Sequence, residues 1–144
     1  MAKRNIFRGL AAVLALGMCM TGLAGCGSEK RADGKTEIEV VSYKPEAVKA
    51  FEKIEKRFNE THDDIHLKIS SPNEAMTILK TRFIREDYPD IIAIGGDINY
   101  SNFLDADLFE DISGLDEVQT IKQAYLDMDK ELEFIPKDGT YALP

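Results

Sequence analysis

Between residues 37 and 94 the spacing of apolar side chains alternates between the two-residue period of a strand and the 3.6-residue period of a helix. Residues 37–42 alternate into Val40 and Val41, and Ile65, Leu67 and Ile69 alternate through residues 65–70. Residues 91–94 form a continuous apolar run, the pattern of a strand covered on both faces, as in a parallel sheet. Between the first two strands, Ala47, Val48, Phe51, Ile54 and Phe58 recur at helical spacing. Glu46, Lys49, Glu52, Lys53, Glu55 and Lys56 take the other face, and Pro45 suits the first turn. Before the third strand, Ser71, Pro72 and Glu74 predict a capping-box start to a helix striped by Met76, Leu79 and Phe83. These methionine and aromatic stripes read as core. Strand, helix, strand, helix, strand in that order predicts right-handed crossovers and an α/β fold, a parallel-rich sheet covered by helices. Further helices are predicted over residues 100–107 and 117–130, joined through the acidic turn Asp111, Ile112, Ser113, Gly114.

The first 25 residues follow a different logic. Lys3, Arg4 and Arg8 form a basic head, residues 10–20 an apolar stretch, and Leu23, Ala24 and Gly25 lead into Cys26. The arrangement resembles a bacterial lipobox, in which the cysteine thiol receives a diacylglycerol and Cys26 becomes the first residue after cleavage. Residues 10–25 contain Thr21 and three glycines and fall short of the 18 or more apolar residues of a spanning helix. Acyl chains at about 0.8 kcal/mol per buried methylene make a stable anchor when two are present. The expectation is a signal peptide over 1–25, a lipidated cysteine and polar tether over 26–36, and a domain over 37–144 held at the outer face of the cell membrane.

Three of the 18 basic residues and none of the 26 acids lie in residues 1–25, so the remaining 119 residues carry 15 against 26, a net charge of −11. Such a surface repels nucleic acid and anionic lipid. Cys19 leaves with the leader and lipid takes Cys26, so no thiol is left for a disulfide, a zinc site or a nucleophile.

In an open α/β sheet, ligands collect beyond the carboxyl ends of the strands. The three loops there contain Ser42, Tyr43 and Lys44, then Ser70, Ser71 and Asn73, then Gly95, Gly96, Asp97 and Asn99. The third is the strongest candidate, since paired glycines allow close backbone approach and Asp97 can accept hydrogen bonds from hydroxyls. Equally, the glycines can make a plain turn and Asp97 can cap the next helix. No phosphate-loop or dinucleotide pattern is present. His62 and His66 have zinc-like spacing but fall between a helix end and a strand start, which predicts a solvated turn rather than a metal site. Asp105, Asp107, Glu110 and Asp111 lack the glycine and spaced acids of a calcium loop. No triad or cofactor motif stands out, and nothing argues for an enzyme.

The leader, the polar tether, the helix ending Phe58, Asn59, Glu60, Thr61, then Tyr88 to Ile92 and finally Asp138 to Pro144 follow one another in a distinctive order. The chain resembles the N-terminal part of family 1 extracellular solute-binding proteins, the lipoprotein receptors of ABC importers. The helix ending resembles that family's Phe-Asn region, Pro89 and Asp90 its strand start, and Gly139 to Pro144 its stretch from glycine through tyrosine to proline. The resemblance implies a periplasmic-binding-protein-like (type II) fold of two lobes, of which this chain carries an incomplete first lobe. It implies Ser42, Tyr43, Gly96, Asp97 and Tyr141 as ligand-binding residues, with Ser42 and Asp97 bonding ligand hydroxyls and a tyrosine lying against a sugar face. It also implies a sugar or related solute and importer permease subunits as partners, with no cofactor. The sequence has no tryptophan, the residue many sugar-binding members stack on their ligand, which leaves the solute class open. With half of the cleft walls missing, weak binding by this chain alone is expected. The competing reading is a surface lipoprotein that serves as an interaction module.

Overall fold

The computed structural model describes residues 33–144; the leader, Cys26 and the tether up to residue 32 lie outside the described residues. Three parallel strands, β1 (Thr36–Ser42), β2 (Ile65–Ser70) and β3 (Ile91–Ala93), form one sheet in the order β2-β1-β3. β1 is central. It pairs with β2 from Thr36↔Ile65 to Val41↔Ser70 and with β3 from Val40↔Ile91 to Ser42↔Ala93. Among the described residues four helices accompany the sheet: α1 (Val48–Thr61), α2 (Ala75–Ile84), α3 (Ile98–Asp105) and α4 (Gln123–Glu131). Short 3-10 segments at Pro45–Ala47 and Asp116–Thr120 precede α1 and α4. The α/β architecture is as the alternating periods predict.

Several details differ. β3 is not covered on both faces: among the described residues it is a three-residue edge strand paired with β1, and Ile91 is 51% exposed while Ile92 is half-buried. Its preceding residue nevertheless has a structural task. The Asp90 carboxylate accepts the Glu39 N–H at 2.8 Å, completing the β1 ladder just below the start of β3.

On α1 the faces are rotated from the predicted stripe, leaving Ile54 52% exposed and turning Glu55 inward. The cause is the free edge of β2. Asn59 accepts the Leu67 N–H and donates to the Leu67 carbonyl, both at 2.8 Å, and Glu55 accepts the Ile69 N–H at 2.7 Å. Side chains of a helix thus occupy backbone groups that would otherwise template another strand. The Asn59 pair explains why the chain has Phe-Asn at the helix end.

No capping box forms at α2. Glu74 occupies the N-cap position without a side-chain bond, and the Ser71 hydroxyl donates instead to the Ser42 carbonyl at 3.2 Å. The helix predicted over residues 117–130 is broken in two, because Ile121 and Lys122 adopt extended backbone after the 3-10 segment. There the Thr120 hydroxyl turns back to the Glu117 carbonyl, competing with helical continuation.

The core sits where α2 and α3 meet the sheet. Val41, Ala75, Leu79, Phe103 and Leu104 are buried, and Phe83 packs edge-on against Phe103 with ring centroids 5.0 Å apart. A polar clamp holds α2 to β1: Arg82 makes two bonds to Glu39, at 3.1 and 2.7 Å, and two to Asp87, at 3.1 and 2.9 Å. Glu39 chiefly, then Asp87, holds the guanidinium firmly protonated. Among the described residues no helix is long and apolar enough to cross a membrane.

Candidate functional site

The strand order decides where a site can lie. From β1 the chain moves outward to β2, then returns past β1 to reach β3. Right-handed crossovers from β1 to β2 and from β2 to β3 run in opposite directions along the sheet and so cover opposite faces, which makes the adjacent carboxyl ends of β1 and β3 the switch point where such sheets hold ligands.

Tyr43 stands at that switch point. Its N–H donates to the Ala93 carbonyl at 3.1 Å, extending the β1–β3 ladder by one residue and fixing where the side chain begins. A Cβ at Gly95 would lie 3.1 Å from the Tyr43 hydroxyl, so the glycine is what lets the phenol approach. Gly96 has a comparable reason: a Cβ there would stand 2.8 Å from Leu132 Cδ1. The room left by both glycines is filled by side chains of the protein itself. The Lys44 ammonium lies 4.8 Å from the Tyr43 ring centroid, and a hydrogen bond with Tyr43 raises its pKa.

Asp97 is exposed and caps α3, its Oδ1 accepting the Asn99 N–H at 2.8 Å and the Asn99 side-chain amide at 3.0 Å. The capping role anticipated for it is therefore real. It leaves Oδ2, which faces Gly95, available to a hydroxyl donor. Ser42, by contrast, is 1% exposed; its hydroxyl accepts the Lys44 N–H at 3.2 Å, so it shapes the loop from within.

Beside Tyr43 a depression of about 210 Å³ is lined by Asn73, Glu74, Ala75, Met76 and Thr77, at the carboxyl end of β2 and the first turn of α2. Sequence reasoning placed Asn73 in a candidate loop but passed over Glu74, Met76 and Thr77. The available signal was that the start of α2 must stand next to the end of β2. Tyr141 lies elsewhere. It lines a different cavity, its hydroxyl donating to the Asp138 carbonyl at 2.7 Å and its ring 5.8 Å from the Lys130 ammonium. The structure thus brings Tyr43, Gly95, Gly96 and Asp97 together and leaves Tyr141 outside that group.

His62 is occupied structurally. His62 stacks on Phe58 at 3.8 Å, with Nδ1 2.9 Å from the Phe58 carbonyl at the end of α1. Among the described residues no group of three or more potential metal ligands gathers.

No family profile matches the sequence. Over 133 residues, 90% of the chain, it is 28% identical to a multiple sugar-binding protein of Streptococcus mutans, and it spans 30% of that relative's length. The apo form of RafE from Streptococcus pneumoniae superposes with a TM-score of 0.57 at 31% identity, covering 62% of this chain and 23% of RafE. A complex of the solute-binding protein RafE with raffinose gives 0.58 and 30%, covering 65% and 24%. The chain is homologous to part of these solute-binding proteins, and its α/β sheet corresponds to part of the RafE fold. These homologues are solute-binding proteins, not enzymes.

Proposed function

We propose that this chain supplies one wall of a sugar-binding cleft in a lipid-anchored extracytoplasmic receptor that delivers its ligand to an ABC importer. The observation that carries the reading is the homology, spread over 90% of the chain, to a multiple sugar-binding protein. The switch point in strand order supports it, because Tyr43 and Asp97 Oδ2 both lie beside Gly95 there, an aromatic ring and a carboxylate acceptor of the kind that bind a pyranose ring. Ser42 and Gly96 contribute by shaping that wall, and Tyr141 by flanking the stretch beyond it. Cys26 is the attachment point, through its thioether-linked diacylglycerol.

Isothermal titration with raffinose tests the binding. A wall without its opposite face leaves the sugar largely solvated, so weak binding is expected, lowered further by Tyr43→Ala and Asp97→Ala. Micromolar or tighter binding would overturn the single-wall reading, and indifference to both substitutions would overturn the placement of the site. For the anchor, radiolabelled palmitate fed to producing cells is expected to label the protein and to leave Cys26→Ala unlabelled.

A further inference from the structure

Residues 137–142 run from the end of α4 to the turn at Asp111, and they are fastened at two places of different character. At Lys137 both backbone groups are held. Its N–H donates to Glu133 Oε2 at 2.9 Å, and its carbonyl accepts from the Lys130 ammonium at 2.6 Å. Lys130 and Glu133 also pair with each other at 2.9 Å, and the Glu133 side chain is 3% exposed. A buried carboxylate paired in this way is costly to release, so this end is fixed.

Three residues on, the fastening is exposed. The Thr140 N–H donates to Asp111 Oδ1 at 2.9 Å, and the Thr140 carbonyl accepts the Ile112 N–H at 2.7 Å. Asp111 lies at the surface, so water can take the place of Thr140 at its carboxylate. Between the two fastenings stands Gly139, at φ +109°, where no side chain obstructs rotation of the backbone. A further bond spans this glycine, from the Tyr141 hydroxyl to the Asp138 carbonyl at 2.7 Å, and it too is exposed. One rotation at Gly139 therefore gives up three exposed bonds and leaves both Lys137 bonds in place. The part that turns is also the wall of a cavity. Thr140, Tyr141 and Ala142 line a space of about 260 Å³ together with Leu126 of α4 and the buried Tyr100 and Val118.

We propose that residues 140–144 are a hinged flap on this cavity, turning at Gly139 and latched shut by Asp111. The flap opens as one unit while the sheet and the Lys137 anchorage stay closed, a local opening that uncovers Tyr100 and Val118 without unfolding the domain. The device does not depend on sugar binding beside Tyr43.

Amide hydrogen exchange of the isotope-labelled full chain, read residue by residue by NMR, tests the flap. The Thr140 and Ile112 amides are expected to share one opening equilibrium, with the Lys137 amide and the Leu67 amide held by Asn59 exchanging through rarer openings. Asp111→Asn keeps an acceptor and loses its charge, which should speed exchange at Thr140 and Ile112 about tenfold and leave Lys137 and Leu67 unchanged. Tyr141→Phe touches neither Thr140 bond, yet it should speed the same two amides roughly fivefold, because it removes one of the bonds that the flap gives up as a unit. If Asp111→Asn does not fold, Tyr141→Phe carries the comparison. Separate opening equilibria for Thr140 and Ile112, opening of Lys137 together with them, no change at either amide in Tyr141→Phe, or equal acceleration of Leu67 would each overturn the proposal.

Discussion

Gly139 has a φ of +109°, and a Cβ there would sit 2.7 Å from the Asp111 carboxylate. Gly139→Ala is therefore expected to lower stability by roughly 1–3 kcal/mol, the usual cost of forcing a side chain into such backbone, read as a drop in the urea midpoint. Glu86 presents the converse case. It holds φ 58° where α2 closes in a Schellman turn, Asp87 N–H to Arg82 carbonyl at 3.1 Å and Glu86 N–H to Phe83 carbonyl at 3.1 Å. Glu86→Gly relieves left-handed strain and should raise the same midpoint, by about 0.5–1 kcal/mol. Asp111 also governs a pH response. The Thr140 N–H, then the Ser113 N–H, each at 2.9 Å, hold its pKa below the ordinary carboxylate value. A depressed acid stabilises the fold above its unfolded pKa of about 4, and that contribution is lost as pH falls through the lower folded value. Asp111→Asn should flatten the acid limb of a thermal-stability profile below about pH 4. Asp129 acts with the opposite sign, since burial raises its pKa and its ionised form weighs against folding as pH rises above about 4.

At the scale of elements, the edge of β2 is held by side chains of α1 rather than by another strand. Asn59→Ala leaves both the Leu67 N–H and carbonyl without that partner, an expected loss of ~1–3 kcal/mol if water does not replace it fully. Light scattering should then show concentration-dependent association, because an uncapped edge templates pairing with another chain. Loss of stability without association would mean that Glu55, still bonded to Ile69, suffices to block the edge. The residues that cap this edge were visible in the sequence as a polar helix surface, but their task was not. Periodicity assigns Glu55 to solvent and Ile54 to the core, and it knows nothing of unpaired backbone groups waiting on a neighbouring strand.

For the molecule as a whole, residues 26–144 carry a net charge of −11, so self-repulsion opposes compaction. Raising ionic strength from low to physiological values should raise the thermal midpoint, since the screening length shortens to about 8 Å. The alternation of periods by itself determined the α/β class, the three strands and the helices between them, because a strand and a helix bury one face at different spacings. The proposed leader and lipid attachment at Cys26 rest on local chemistry alone. Strand order does not: β2-β1-β3 arises from which crossover returns past the first strand, a choice made by packing across the whole sheet. That order placed Tyr43 against Gly95 and made Ile91 an edge residue. Contacts between residues distant in sequence depend on how close two backbones come, and here tertiary packing alone brought Gly95 to the phenol of Tyr43 and Gly96 to Leu132.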